Sequence, residues 1–523
     1  MKKWLSLSMG VCLVLFFFLV QPGLAQKKGG TFTFSAAADL KNLDLHKSVS
    51  GGDYEVMSVS VETLVGPNEL GEPTPCLAES WESSNNATEW TFHLRKGVKF
   101  HNGREMTADD VKWNIDRIMN PQTTAARKSS FDMVKSVTVI DRYTIKFSLK
   151  RPFAAFLSSH FENTGPQASI LAPESLNNDG TITQPIGTGP FKFVEWKVGQ
   201  EVILEANTDY WDKANMPKVQ RVVIRNIKDS SQRLAALKAG EIHGMEGLNP
   251  DDVKVVRSDP NLQVLLRPTN TTGYVAFNYK VKEFQDRRIR LAVAHAINKK
   301  AIVDALYGGT GMVATQFQPP PLWGHNKDLK DFAYSQQQTR DLLKEAGFPQ
   351  GLKEITWEDG RKEPLQFWYM PVSRPYYPNP KEIAEAMAAD LAKAGITAQL
   401  QTVDWTTYLD KRKNGQLPLY MLGWTGDNGD PDNFVCYFFC NPGASREGFY
   451  ANPGLAEVLL QAQKQPDQSK RAELYRRAEQ IIHDDVARIF IANNQPPLAF
   501  SKKVQGYVAN PTGSEYFNTV HLQ

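Results

Sequence analysis

The chain has 523 residues, of which 41% are hydrophobic and 22% are charged, and its formal net charge is +3. This length exceeds what one hydrophobic core commonly holds, so two or more domains are expected. The nearly balanced charge argues against a nucleic-acid partner and against binding to an anionic membrane surface.

Residues 1–25 have the pattern of a secretory signal peptide. Lys2 and Lys3 give a positive start, residues 11–20 (VCLVLFFFLV) form an apolar run, and Gly23-Leu24-Ala25 offers small residues for cleavage. The run is short for a membrane span, so cleavage is favoured over anchoring. Removing both lysines leaves a net charge of +1 on the mature protein. We expect this mature protein in the periplasm.

The first half of the chain alternates short strands with one well-marked helix. Strand-like segments lie at residues 31–34, 89–94, 143–149, 191–194, 202–205 and 220–227. Thr107, followed by acidic residues, predicts the start of a helix over residues 108–119. Val111, Ile115 and Ile118 lie on one face of that helix.

The second half alternates helices and strands more clearly. Asp286 is expected to cap one helix in which apolar residues recur at helical spacing from Ile289 to Ile302. Further helices are predicted at residues 338–346, 381–394 and 468–483, and a strand at 396–400. This alternation predicts an α/β architecture.

The sequence contains no recognisable enzyme motif. The nine histidines form no metal-binding pair, and no nucleophile elbow or phosphate-binding loop occurs. The acidic segment that starts at Asp427 has Gly429 and Pro431 where a calcium loop needs side-chain oxygens. Cys436 and Cys440 fit a structural disulfide or two buried thiols better than a metal site. We therefore predict no catalytic residue, no metal and no cofactor.

Two stretches in the first half of the chain have recognisable patterns: residues 77–117 (LAESWESSNNATEWTFHLRKGVKFHNGREMTADDVKWNIDR) and residues 185–193 (PIGTGPFKF). The first resembles the signature, and the second another stretch, of bacterial extracellular solute-binding proteins of the peptide/nickel ABC importer class. Residues 370–379 (MPVSRPYYPN) and 421–433 (MLGWTGDNGDPDN) are similar to the dipeptide-binding branch. The resemblance covers essentially the whole mature chain.

The resemblance implies a two-lobed α/β periplasmic-binding-protein fold that closes on its ligand about a hinge. Lobe I is expected to comprise residues 26–278 and the returning segment 495–523, and lobe II residues 279–494. An extra subdomain of lobe I is expected at about residues 60–185.

The resemblance also assigns ligand-binding residues. In the dipeptide branch an arginine holds the ligand carboxylate and an aspartate holds its amino group, and the matching residues here are Arg374 and Asp427. A guanidinium grips a carboxylate through two parallel hydrogen bonds, and a carboxylate accepts from an ammonium. The remaining residues matched to the site are Trp405, Trp424, Tyr376 and Gly423.

The function expected from this resemblance is a carrier. The protein would be a monomer that captures a dipeptide or short oligopeptide and passes it to the membrane permease of an ABC importer. Relatives of this class also carry haem, glutathione or a nickel chelate, so those cargoes stay open. A secreted peptidase is the alternative from another functional class, and it lacks a recognisable nucleophile or metal site in this sequence.

Overall fold

A computed structural model of the protein describes residues 29–37, 39–48, 51–84, 86–126, 128–161, 168–444, 448–513 and 515–523. The predicted signal peptide therefore lies outside the described residues. In the described part of the chain, no helix is long and apolar enough to cross a membrane.

The structure alternates strands and helices along its whole described length. The strands are β1 (Thr31–Ala36), β2 (Val65–Pro67), β3 (Pro73–Pro75), β4 (Ala78–Ser83), β5 (Glu89–Leu94), β6 (Val134–Asp141), β7 (Thr144–Leu149), β8 (Phe191–Lys197), β9 (Glu201–Ala206), β10 (Arg221–Asn226), β11 (Gly244–Met245), β12 (Leu262–Leu266), β13 (Thr271–Phe277), β14 (Gly311–Val313), β15 (Glu354–Thr356), β16 (Lys362–Pro364), β17 (Gln366–Trp368), β18 (Gln399–Gln401), β19 (Leu419–Thr425), β20 (Arg488–Asn494), β21 (Pro497–Ser501), β22 (Val504–Gln505) and β23 (His521–Leu522). The α-helices are α1 (Gly51–Met57), α2 (Ala108–Met119), α3 (Phe156–His160), α4 (Ser230–Ala239), α5 (Pro250–Ser258), α6 (Lys282–Gln285), α7 (Arg287–Ala296), α8 (Lys299–Leu306), α9 (Gln336–Glu345), α10 (Pro380–Lys393), α11 (Trp405–Lys413), α12 (Val435–Phe439), α13 (Pro453–Lys464) and α14 (Gln468–Asp484).

The first large sheet joins the beginning and the end of the described chain. Its spatial order is β12-β21-β11-β1-β10-β9-β8. Strand β1 runs parallel to β10, with Thr31 opposite Arg221, and β21 returns antiparallel between β11 and β12. Phe32, Phe34 and Phe500 are fully buried in the core of this sheet.

The second large sheet has the order β14-β20-β13-β19-β17-β18. Its central strand β13 pairs antiparallel with both β19 and β20, and every residue of β13 is buried. Helices α7 and α10 pack against this sheet and contribute Ile289, Val293 and Ile383 to its hydrophobic core.

The polypeptide crosses between the two large sheets twice, at residues 267–270 and 495–496. The backbone N–H of Arg267 donates to the carbonyl oxygen of Pro496 across this pair of segments, at 3.1 Å. Two adjacent crossing segments have the form of a hinge.

A smaller four-stranded sheet, β4-β5-β7-β6, has a separate core packed against α2. Val111, Ile115 and Ile118 of α2 are buried there, as their spacing predicted. Thr107 and Asp110 form a reciprocal capping box, and Asp110 also pairs with Arg104 at 2.7 Å. The predicted helix bounds 108–119 are confirmed because this cap fixes the first turn.

Two of the predicted elements were wrong in extent. The helix that Asp286 caps ends at Ala296, because Ile297 is extended and Asn298 caps a new helix through its side chain. The strand predicted at residues 396–400 is confined to Gln399–Gln401, and Ile396 makes only a single bridge to Leu352. In the first case buried apolar residues continue the pattern while the backbone leaves the helical conformation at Ile297. In the second case Ile396, Ala398 and Leu400 alternate as predicted, but strand pairing begins only at Gln399.

Cys436 in the short helix α12 forms a disulfide with Cys440, the C-cap residue of that helix. Of the two possibilities left open by the sequence, the structure has the bridge. Cys76 is a free thiol, and burial raises its pKa well above the usual value.

Candidate functional site

A cavity of about 1150 Å³ lies between the two large sheets. Gly247 and Leu498 line it from the side of the seven-stranded sheet, and Leu422 lines it from the six-stranded sheet. All six residues matched to the site by sequence lie on its wall: Arg374, Tyr376, Trp405, Gly423, Trp424 and Asp427. The fold thus brings together residues that are up to 53 positions apart in the chain. Their roles in ligand binding stay a prediction.

Arg374 lies on the segment between β17 and α10. Its backbone exchanges two hydrogen bonds with Tyr377, at 3.0 and 2.9 Å, which fix a tight turn. The side chain is exposed, and its guanidinium lies 4.7 Å from the ring centroid of Trp405. Among the described residues no carboxylate forms an ion pair with Arg374. The positive charge is therefore oriented by an aromatic face and left available to a ligand.

The Tyr376 ring packs directly against the backbone of β19 at Gly423. A side chain at Gly423 would place its Cβ 2.2 Å from the Tyr376 ring, so this contact requires a glycine. Tyr307 also donates its hydroxyl hydrogen to the Tyr376 carbonyl oxygen at 3.0 Å. The Tyr376 side chain is buried, and burial raises its pKa above the usual value. Tyr376 and Gly423 thus shape the wall that carries Arg374.

Asp427 follows the end of β19 and is held by Asn433. The Asn433 side-chain oxygen accepts from Asp427 N at 3.0 Å and from Trp424 Nε1 at 2.9 Å. The Asn433 amide also donates to Asp427 Oδ2 at 3.2 Å. One asparagine therefore positions both the acidic and the aromatic residue of the site. Its role was not predicted from the sequence, where it only closes the turn Asp430-Pro431-Asp432-Asn433.

The aromatic side of the wall depends on α12. Trp424 stacks on Tyr437, with ring centroids 4.6 Å apart, and meets Phe438 edge-on at 5.2 Å. Tyr437 and Phe438 also line the cavity and lie between the two disulfide cysteines. The disulfide thus constrains the segment whose Tyr437 and Phe438 side chains pack against Trp424.

The other two acids of this loop have structural partners. Asp430 forms a buried two-pronged pair with Arg471, with both contacts at 2.8 Å. Asp432 accepts from Tyr475 at 3.0 Å and from Gln463 at 3.1 Å, and burial together with Asp430 raises its pKa to about 6. Neither carboxylate lines the cavity, so Asp427 is the acid of this loop that lies on the cavity wall. In the described ranges no group of three or more His, Cys, Asp or Glu is placed to hold a metal ion.

Comparison with known proteins identifies the family. The family model described as "Bacterial extracellular solute-binding proteins, family 5 Middle" matches residues 72–446. The dipeptide-binding protein of Escherichia coli K12 is 32% identical, and the match covers 100% of this chain and 99% of that protein. Heme-binding protein A of Haemophilus influenzae is 33% identical over 91% of this chain and 88% of its own.

Solved structures agree with the sequence comparison. The ABC transporter-associated periplasmic binding protein DppA of Helicobacter pylori, in complex with peptide STSA, superposes with a TM-score of 0.76 at 30% identity. The match covers 94% of this chain and 98% of that one. The chain therefore belongs to the bacterial extracellular solute-binding proteins of family 5 and has their two-lobed periplasmic-binding-protein fold.

Proposed function

We propose that this protein is the solute-binding component of an ABC importer, that it captures dipeptides or short oligopeptides between its lobes, and that it delivers them to the membrane permease. The observation that carries the proposal is the presence of Arg374 and Asp427, two opposite charges, on the wall of one cavity. The names of the dipeptide-binding relative and of the peptide-bound neighbour support the same cargo.

The proposed binding mode uses both charges at once. Arg374 takes the peptide carboxylate through two parallel hydrogen bonds, while Asp427 accepts from the α-ammonium group. Trp405 and Trp424 offer apolar faces to the side chains of the ligand. A dipeptide spans roughly 7 Å between its ends, at about 3.5 Å per residue. A longer peptide would reach beyond one of the two charges, although the cavity of about 1150 Å³ is large enough to hold its extra residues.

Domain closure would trap the ligand. We assign residues 26–270 and 495–523 to lobe I, with a subdomain at about 60–185, and residues 271–494 to lobe II. The boundary moves from the expected residue 278 to the crossing segment 267–270, because β13 (Thr271–Phe277) pairs within the second large sheet. The return of β21 to the first sheet and the separate core beneath the four-stranded sheet support this division. Ligand binding then selects the closed arrangement about the crossing segments.

Location and partners follow from the same proposal. Cleavage after residue 25 would release a monomer into the periplasm, where the closed form docks on its permease. We expect no catalysis, so incubation with dipeptides and tripeptides should return the peptides intact. Turnover that a point mutation in this chain abolishes would contradict the carrier function.

Haem is the second candidate cargo, because a relative 33% identical is named for it. The described residues that line the cavity include no histidine, cysteine or methionine. Of the side chains that hold haem iron in proteins, only tyrosine lines it, at Tyr376 and Tyr437. Purified protein that carries haem would show a Soret absorption band, whereas a peptide-loaded protein would not.

The proposal is tested by identifying the cargo directly. Mass spectrometry of material released on denaturation should detect peptides of two to four residues. After refolding, calorimetry should show that free dipeptides bind. Release of a porphyrin, or failure of every dipeptide to bind the refolded protein, would overturn the proposed cargo.

A further inference from the structure

The cleft carries more positive charge than a neutral dipeptide can balance. Five cationic side chains line it, Lys228, Arg233, Arg267, Arg374 and Arg412, against two acidic ones, Glu246 and Asp427. A zwitterionic peptide brings one carboxylate and one ammonium group. Once these meet Arg374 and Asp427, the remaining cations have to be accounted for by other partners.

Three of these cations need no ligand. Arg267 forms a buried ion pair with Glu515. Arg233 donates to the backbone carbonyl groups of residues 227, 228, 246 and 247 at 2.7–3.1 Å. Lys228 is exposed, so water solvates its charge. The two arginines are therefore structural groups that happen to reach the cavity wall.

Arg412 differs from all three. It forms no ion pair and no side-chain hydrogen bond with any residue that the structure describes. Its Nε atom is buried and has no hydrogen-bond partner among the described residues. Burial raises the pKa of the Tyr274 and Tyr408 phenols, and the positive charge of nearby Arg412 counters part of that rise. A buried donor without an acceptor is energetically costly, and a ligand that supplies the acceptor recovers that cost.

The position of Arg412 relates it to Arg374. Trp405, Leu409 and Arg412 all line the cavity, and their spacing of four and three residues places them on one face of α11. Seven residues of helix separate Trp405 from Arg412 by about 10 Å along the axis, at about 1.5 Å per residue. The Arg374 guanidinium rests on Trp405, at the other end of this face. The face thus has a cation at each end and apolar side chains between them.

We propose that Arg412 is a second anion site in the cleft, which selects ligands with two carboxylates, that is, short peptides bearing a glutamate or aspartate side chain. This inference rests on the proposed function, since Arg374 is taken to hold the main-chain carboxylate. The Arg412 guanidinium then binds the side-chain carboxylate through charge-assisted hydrogen bonds. A helix-end role alone would not explain why this guanidinium reaches the cavity wall with a buried donor that has no acceptor.

The test compares ligands that differ only in charge. Glu-Ala and Gln-Ala, and likewise Ala-Glu and Ala-Gln, are titrated calorimetrically into the wild type, Arg412→Gln and Arg412→Lys. We expect at least one glutamate peptide to bind about tenfold more tightly than its glutamine partner, as for a hydrogen bond to a charged group. Arg412→Gln should abolish this preference, and Arg412→Lys should retain part of it because it keeps the charge.

A matched control variant distinguishes binding at Arg412 from the general electrostatic field at the C-terminal end of α11. Lys413 is exposed in the same last turn and does not line the cavity, so Lys413→Gln removes an equal charge without touching the site. This variant should keep the preference. Thermal unfolding verifies that each variant is folded.

The outcomes distinguish this inference from the proposed function. Equal affinity for glutamate and glutamine peptides in the wild type overturns the second anion site alone. The second anion site is also overturned if Arg412→Gln keeps the full preference, or if Lys413→Gln loses it. Failure of all four dipeptides to bind overturns the proposed cargo, and the inference falls with it.

Discussion

Arg374 and Asp427 are held in different ways, and this affects how each responds to mutation. Arg374 is exposed and touches the Trp405 ring, so removing its side chain disturbs little of the protein. Asp427 belongs to a hydrogen-bonded turn with Asn433, so its shape has to be kept when its charge is removed. The first residue suits truncation to alanine, and the second suits an isosteric change.

Arg374→Ala should weaken dipeptide binding by at least about 2–3 kcal/mol, within the range for truncating one partner of a buried charge pair. Much of this loss arises because the ligand carboxylate is left desolvated without its partner. Calorimetry on the folded variant measures it. Arg477→Ala, an exposed arginine on α14 away from the cavity, is the control and should bind normally. Unchanged affinity in Arg374→Ala would remove this residue from the site.

Asp427→Asn tests which group recognises the amino end of the ligand. An N-acetylated dipeptide should bind the wild type far more weakly than the free one, because acetylation removes the positive charge that the Asp427 carboxylate is proposed to bind. In Asp427→Asn that discrimination should shrink by about 1–3 kcal/mol, as for two coupled groups. Calorimetric titration of the two ligands into the two proteins gives the four affinities that this comparison needs. A variant that keeps the whole preference for a free amino group would show that another residue recognises the amine.

At the scale of elements, the sequence predicted those whose ends are marked by side-chain chemistry. The α2 bounds were correct because Thr107 and Asp110 cap its first turn, and α10 ends as predicted before Gly395, which has a positive φ of 96°. The break after α7 was missed because Ile297 and Ile302 continue the apolar spacing through it. Periodicity reports which residues are buried, but it does not report a change of backbone direction between them.

The same reasoning explains which parts of the site could be found from sequence. The six matched residues all lie on the cavity wall, and five of them belong to two short stretches that resemble the dipeptide-binding branch. Arg412 and Asn433 were not identified, since each looks like an ordinary residue: a basic helix end and a turn former. Their importance depends on contacts formed only in the folded chain, such as Asn433 to Trp424, that no local pattern encodes.

The turn between β5 and α2 carries a pH-dependent contact to the segment that precedes β8. His101 Nε2 lies 3.0 Å from Gly189 O, and burial lowers the pKa of His101 to about 4. A histidine whose folded pKa lies below its unfolded value near 6.5 contributes stability above pH 6.5, and that stability is lost as the pH falls towards 4.

His101→Gln should therefore reduce the acid sensitivity of the protein. The glutamine amide can still donate to Gly189 O, but it does not take up a proton. Between about pH 7 and pH 4 the wild type should lose about 2–3 kcal/mol more free energy of unfolding than the variant. Urea unfolding of both proteins at several pH values measures the difference. If the free energy of unfolding depends on pH in the same way in both proteins, His101 is not a source of the acid sensitivity.

At the scale of the whole molecule, the loop that carries Asp427 also contacts the region of the four-stranded sheet. Gly429 meets the backbone of Gly71 in the β2–β3 hairpin, and Asn428 Nδ2 donates to Ser158 O at 3.3 Å. Nearby, the backbone N–H of residue 154 donates to Gln463 O at 2.6 Å. The residues that follow Asp427 therefore touch the part of the chain that we propose as the subdomain of lobe I. In the proposed binding mode, ligand binding at Asp427 and contact between the two proposed lobes take place on one loop.

Gly429→Ala should separate these two events. A Cβ at Gly429 would lie 2.1 Å from Gly71 O, so the two backbones cannot keep their present approach. The variant should favour an arrangement with the lobes further apart, and dipeptide affinity should fall by about tenfold, because only the closed fraction binds tightly. Small-angle scattering should then give a larger radius of gyration for the variant than for the wild type at equal, subsaturating peptide concentration. Gly454→Ala is the matched control, since a Cβ there meets only Asn452 Oδ1 at 3.5 Å, and it should behave as wild type. If the affinity of Gly429→Ala for dipeptide and its radius of gyration are both unchanged, the Gly71–Gly429 contact has no part in closure.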